Sequence, residues 1–405
     1  MRTIKNYVRA ALPILLGCLL FVACSDDDIA EKGVKEGLPA SLTFKMVVPD
    51  LNDAVVTRAG VEQETALNQL MFLFYKKSDT SKPAFAKVID QLGSWRIGSD
   101  GNDNSNRLYT VTISPGETDL NDNELMSGEY YLYALANWGN GFCSYDAEGY
   151  ASKSLDELKS AILARESSAN VLDIINNTPM TGIYGRDDGS IEIYEGENSF
   201  GNTDETRVHL RRAVAKVIFN ISTVDGITFT PERYSIYHYS QSSTLMERSG
   251  WGGDQGTKPG NLSYEGNNSF SDFEDLAFSD GTPNSFEFYM PENVQRAKDS
   301  NFTDVKMREK RESETNEKFK YAPEKSTYIV IEGHYNGPRN ASSDETAIYD
   351  GDVKYTIQLG DFDATRGGID NFTIRRNVKY TYNVKVKGVN NIITEASAEN
   401  FDAEP

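Results

Sequence analysis

Few residues in this chain could do chemistry, and the most suggestive lie near its beginning. Cys18, Cys24 and Cys143 are its three cysteines. Cys24 closes the run LFVAC, with a small residue just before the thiol and the polar stretch SDDD just after it. A basic N-terminal stretch holding Arg2, Lys5 and Arg9 leads into an apolar run over residues 10–23. That run is too short and too poorly flanked for a transmembrane helix and reads as an export signal. The chemistry expected of Cys24 is therefore lipid attachment. LLGC at residues 15–18 competes, but a cut there leaves a very short apolar core and a still-apolar new N-terminus. Cys143 is then alone, and no intrachain disulfide framework can form. A second reactive position is Arg58 in TRAG, where a lone arginine precedes the small residues Ala59 and Gly60. An Arg-specific protease cutting there leaves Ala59 as the new N-terminus.

Catalysis finds little support. His209, His238 and His334 lie far apart, without HExxH or CxxC spacing, and each reads as a strand residue rather than a metal ligand or base. There is no Gly-rich phosphate loop, no G-x-S-x-G elbow and no cofactor-binding motif. DGNDNSN at residues 100–106 has oxygen ligands at alternate positions but lacks the glycine and closing glutamate of a calcium loop, so it reads as a turn. Acid pairs such as Asp187–Asp188 are expected by chance among 61 acids. Two carboxylates brought together only by folding would leave no local motif, so a glycosidase pair stays the enzyme alternative. The formal charge of −20, which loss of the leader with its three cations makes more negative still, argues against nucleic acid as a partner.

The elements that must position these residues read as strands. Residues 208–222, VHLRRAVAKVIFNIS, put Ala213, Ala215, Val217, Phe219 and Ile221 on one face, a period of two that predicts a central strand. SLTFKMVV at 41–48 alternates Leu42, Phe44, Met46 and Val48 against Ser41, Thr43, Lys45 and Val47, and LNQLMFLFY at 67–75 is apolar on both faces. Further strands are read at 85–95, 107–113, 129–137, 234–239, 285–290, 328–335 and 354–359, with the cleanest alternation at 378–387 and another candidate at 389–394. Ser154 and Glu157 have capping-box form before Leu155, Leu158 and Ile162, predicting one short helix over a sheet edge. Residues 240–280 read as a long surface loop, residues 299–326 as charged and exposed, and the acidic tail from residue 395 as disordered or edge-bound.

Taken together, several of these stretches resemble the fimbrillin family of Bacteroidales, the subunits of type V pili. The resemblance rests on the lipobox at Cys24, TRAG at 57–60, LNQLMFLFY, YYLYALAN at 130–137, NTPMTG at 177–182, LRRAVAKV at 210–217 and RRNVKYTYNVKVKGV at 375–389, in the family's order. It implies an all-β, mainly antiparallel protein of two β-sandwich-like domains with one or a few short helices. The implied layout is a lipoprotein signal over 1–23, a tether and removable strand over 24–58, an N-terminal domain over 59–222 and a C-terminal domain over 223–405. It further implies export to the cell outer membrane on a lipid anchor, cleavage between Arg58 and Ala59 by an Arg-specific protease, and loss of the strand carrying Leu42, Phe44, Met46 and Val48. A strand from another fimbrial subunit would fill the groove, in a fibre that meets a host or bacterial surface receptor. In the family the donor strand comes from the C-terminal end; here Val389, Ile392 and Ile393 would supply it, in a tail with few large apolar residues. The alternative is a surface lipoprotein that does not polymerise, either an anchor subunit or a binder of glycan or host protein.

Overall fold

The computed structural model describes residues 34–49, 67–89, 98–103, 106–138, 146–164, 178–185, 187–240, 242–246, 270–271, 274–277, 285–295, 297–298, 301, 303–313, 316–341, 347–362 and 368–400. The strands of the first half are β1 (Ala40–Pro49), β2 (Leu70–Lys76), β3 (Phe85–Ile89), β4 (Gly98–Asp103), β5 (Asn106–Ile113), β6 (Gly128–Ala136), β7 (Ile162–Ala164), β8 (Met180–Tyr184), β9 (Ser190–Ile193), β10 (Gly196–Ser199) and β11 (Val208–Arg212). Two helices, α1 (Ala147–Ala151) and α2 (Leu155–Ser160), fall between β6 and β7. The second half holds β12 (Val214–Thr223), β13 (Thr228–Tyr237), β14 (Tyr239–Ser240), β15 (Ser242–Thr244), β16 (Phe270–Ser271), β17 (Glu274–Ala277), β18 (Ser285–Pro291), β19 (Arg311–Ser313), β20 (Asn316–Phe319), β21 (Tyr328–Pro338), β22 (Ile348–Gln358), β23 (Val378–Gly388) and β24 (Asn391–Asn400). The chain is all-β and mainly antiparallel, as the alternating patterns require.

The first half is built on one ten-stranded sheet of order β3-β2-β6-β8-β11-β1-β5-β4, with β9 added on β6 and β10 on β1. Side chains from both ends of that order share one core: Phe72 and Phe74 of β2, Leu132 of β6, Phe44 of β1 and Val111 of β5. The sheet therefore curls upon itself and is sandwich-like. β2 and β6 are apolar on both faces because they bury both. Leu70, Phe72 and Phe74 enter this core, whereas Met71, Leu73 and Tyr75 face a second cluster with Leu155 and Leu158 of α2. The capping box of Ser154 and Glu157 is formed, and the helix covers a sheet face rather than an edge.

In the second half, the sheets β18-β12-β23-β24 and β17-β13-β21-β22 pack as a sandwich. Phe219 of β12 stacks between Phe286 at 5.0 Å and Tyr382 at 4.8 Å, at the centre of its sheet. The column Val378, Tyr380, Tyr382, Val384 and Val386 is buried, as its alternation predicts.

Several expectations are corrected. The single strand read over 208–222 divides at Ala213: β11 belongs to the first sheet and β12 to the second. The alternation runs through the break because Ala213 is itself buried, and a period of two reports a buried face without saying which sheet owns it. DGNDNSN is not wholly a turn, since β4 extends to Asp103 and pairs back onto β5 from Asn106. The stretch 299–326 is not simply exposed: Arg308 is fully buried, donates to the carbonyls of Ile369, Asn371 and Leu359, and lies between the rings of Phe362 and Phe372 at 4.3 and 4.0 Å. Val389 falls in the turn between β23 and β24 rather than in a strand, and β24 continues the ladder through residues 395–400 of the acidic tail.

Candidate functional site

The strand singled out by sequence as removable, β1, lies in the interior of the first sheet. Leu42 through Pro49 pair antiparallel with Ile113 through Asn106 of β5. On the other side, Ala40–Thr43 pair parallel with Gly196–Ser199 of β10, and Met46 and Val47 pair parallel with Val208 and His209 of β11. Both backbone edges of β1 are thus used. Leu42, Phe44, Met46 and Val48 are each 0% exposed. Phe44 meets Phe72 edge-on at 4.9 Å. Burial pushes the phenols of Tyr130 and Tyr184, which line the same core, up to about 12, so both stay neutral at physiological pH.

The outward side of β1 is fitted to its neighbours as well. The Thr43 hydroxyl meets that of Thr112 at 3.3 Å, and Asn198 Nδ2 donates to the Ser41 carbonyl at 3.1 Å. Gly201, at φ +108, passes over Lys45 so closely that a Cβ there would lie 2.5 Å from the Lys45 Cβ. The approach to β1 is tied down by Ser127, whose hydroxyl accepts from Leu38 N and donates to the Lys35 carbonyl. Cys24, Arg58 and Ala59 lie outside the described residues, as do Trp251 and Tyr264 of the expected surface loop.

The other candidate strand, at Val389, Ile392 and Ile393, is far from β1 in the topology. β24 pairs along its length with β23, from Val378↔Asn400 to Gly388↔Asn391, and forms the edge of its sheet. Ile392 packs half-buried on the second core, while Ile393 is 37% exposed. Val389 N donates to the Arg339 carbonyl at 3.0 Å.

Three of the motifs quoted above meet where the chain passes between the halves. Ala213 N donates to the Pro179 carbonyl at 2.8 Å, Arg212 N to Asn377 Oδ1 at 3.1 Å, and Asn377 N to the Val214 carbonyl at 2.9 Å. Asn377 holds φ +55, a left-handed conformation that asparagine tolerates better than most residues. Beside it, the buried Arg376 pairs with the fully buried Glu292 and donates to the carbonyls of Thr244 and Leu245. β15, which ends at Thr244, pairs with β7 of the first half. These motifs thus build a joint. Sequence reading recognised them but did not see this role, for which the exposed-looking pair Arg375–Arg376 gives no local signal. Asn137, also left-handed at φ +56, does a similar job at the end of β6: its Oδ1 accepts from Asn68 N at 2.8 Å and its Nδ2 donates to the Thr178 carbonyl.

The histidines are dispersed, each with its own partner. His209 Nε2 lies 2.8 Å from the Asp204 carbonyl, and His238 Nδ1 lies 3.1 Å from that of Ser326. His334 sits on the exposed face of β21 between Asp350 at 2.6 Å and Asp352 at 3.3 Å, whose hydrogen bonds raise its pKa. Asp188 accepts from Ser190 N, an ordinary turn contact. Among the described residues, no group of three His, Cys, Asp or Glu side chains could hold a metal ion.

Comparisons with known proteins agree with this architecture. A family described as a domain of unknown function, DUF4906, matches residues 288–384. Among curated proteins the sequence finds no match. Among solved structures, the tip fimbrial protein Mfa3 from Porphyromonas gingivalis, with a C-terminal truncation, is 16% identical at a TM-score of 0.50, covering 89% of this chain and 99% of its own. The fimbrilin FimA from Porphyromonas gingivalis is 12% identical at 0.51, covering 89% and 97%. A protein described as a cell adhesion protein from Parabacteroides distasonis is 14% identical at 0.51, covering 90% and 100%. At these identities the likeness establishes the fold alone: the chain has the architecture seen in these fimbrial and cell adhesion proteins.

Proposed function

We propose that this protein is a structural and adhesive subunit of surface fimbriae. In this reading it is exported as a lipoprotein on Cys24 and held at the outer membrane, then cut between Arg58 and Ala59 by an Arg-specific protease. It then joins other fimbrial subunits when a strand of one of them replaces β1. Solved proteins of the same fold are described as fimbrial and adhesion proteins, which supports the subunit role and a cell-surface location.

The observation that carries the reading is the position of β1. It is an interior strand, yet its covalent tie to the rest of the sheet runs only through residues 50–69, which include Arg58. A cut there leaves β1 held by its ladders and by Leu42, Phe44, Met46 and Val48. Burying each of these side chains stabilises by about 1.5–3 kcal/mol, or roughly 6–12 kcal/mol together. The strand therefore does not drift out. A replacement that re-forms both ladders and refills the core can displace it, because an open slot would expose unpaired backbone groups and apolar walls.

Replacing Arg58 by Ala in the producing cells tests this. The expected result is full-length lipidated monomer at the surface and loss of this subunit from fibres; fibres containing an uncut R58A chain would overturn the reading.

A further inference from the structure

We infer that the β1 slot takes its replacement strand from a different protein, one with large apolar side chains at four alternate positions, and rejects β24 of a second copy of this chain. The inference rests on the strand-replacement reading and adds the identity of the partner to it.

β1 fills the slot with Leu42, Phe44, Met46 and Val48, all fully buried. The second of these must be large, because it meets Phe72 edge-on. The column of β24 that faces its own core reads Ile392, Thr394, Ala396 and Ala398. Set against β1 in the same order, it offers Thr for Phe, Ala for Met and Ala for Val. The opposite column, Ile393, Glu395, Ser397 and Glu399, would carry two carboxylates into an apolar core. Moving the register by two residues toward the N-terminus does not help: one column then brings in Asn390 and keeps Thr394, and the other brings in Asn391 and keeps Glu395.

β24 is small on its inward side because an edge strand needs little bulk to close its sheet. It is also committed there, with its ladder to β23 and a Lys379–Glu399 ion pair at 2.9 Å. Two strands with heavier apolar columns than β24, namely β23 and β12, are not free to leave. β23 is held between β12 and β24, and β12 between β18 and β23. Among the described strands considered, β12, β23 and β24, a second copy therefore offers none suited to the slot. The slot accepts, and this chain's described strands do not reciprocate.

The test uses the full-length chain nicked after Arg58, isolated after limited digestion, with two synthetic peptides as probes. One spans residues 39–49 and the other residues 388–400. Loading is read by native mass spectrometry as displacement of the bound fragment that carries β1. Each large-to-small exchange in a packed core weakens binding by a factor of about 10 or more, so three exchanges predict at least about 10³-fold weaker loading of the second peptide. The second peptide carrying Thr394→Phe, Ala396→Met and Ala398→Val is expected to load within about tenfold of the first, by the same packing argument. Unmodified 388–400 peptide loading as well as the 39–49 peptide would overturn the inference while leaving strand replacement intact. No loading by any peptide, with the original fragment retained, would overturn both.

Discussion

Phe44→Ala is the substitution that weighs most on the β1 core. Phe44 is fully buried and packs edge-on against Phe72 in a cluster that includes Val111 and Leu210. Removing a buried phenylalanine ring costs about 3–5 kcal/mol, from lost transfer energy plus the cavity left behind. Its neighbour Thr43 points the other way, and its hydroxyl contact with Thr112 contributes about 1 kcal/mol. Urea unfolding followed by tyrosine fluorescence, on uncut protein, should place F44A well below the parent and T43A close to it. In heat, F44A should melt lower by about 10 °C, at roughly 2–4 °C per kcal/mol for a unit of this size. Because a one-residue slip exchanges the two faces of a strand, T43A as costly as F44A, or F44A within about 1 kcal/mol of the parent, would refute the register described here.

Three further outcomes follow from the same structure. Arg376→Met leaves Glu292 without its buried cation and should destabilise by about 3–5 kcal/mol, whereas R376M with Glu292→Met should recover most of that loss in the same denaturation assay. Gly182→Ala should destabilise by at least about 2 kcal/mol, since a Cβ there would lie 2.2 Å from the His209 carbonyl oxygen and force β8 away from β11. Hydrogen bonds that the His334 ring donates to Asp350 and Asp352 hold its pKa above the usual histidine value of about 6.5, so NMR titration should find it raised and Asp350→Asn should lower it. Because the folded value is the higher one, this contribution to stability is complete below the unfolded pKa and is lost as pH rises through the folded one.

Much of the fold was legible in the sequence because its buried columns are regular. Leu42 to Val48, Ala215 to Ile221 and Val378 to Val386 declare themselves by a period of two, and Ser154 with Glu157 declares a helix start. What was not legible depends on partners distant in the chain. The parallel pairings of β1 with β10 and β11, and of β12 with β23, have no local signature. The change of sheet at Ala213 is hidden by unbroken alternation. β24 and the first part of β22 are edge strands whose exposed residues dilute the pattern, so the second half of β24 read as a disordered or edge-bound tail and β22 began too late. Arg308 read as exposed with its stretch, and Arg376 and Glu292 carry no sequence signal of burial, because burial of a charge is licensed by acceptors elsewhere in the sequence. Of the candidate site, the apolar column of β1 was visible as a pattern, but its place inside the sheet was not.

The most direct measurement of the central claim is N-terminal sequencing and intact mass of the protein recovered from the cell surface. A chain that begins at Ala59, lacks the β1 segment and runs as SDS-resistant ladders when unheated is the result this account predicts. A chain that still begins at a lipidated Cys24 and is wholly monomeric would contradict it.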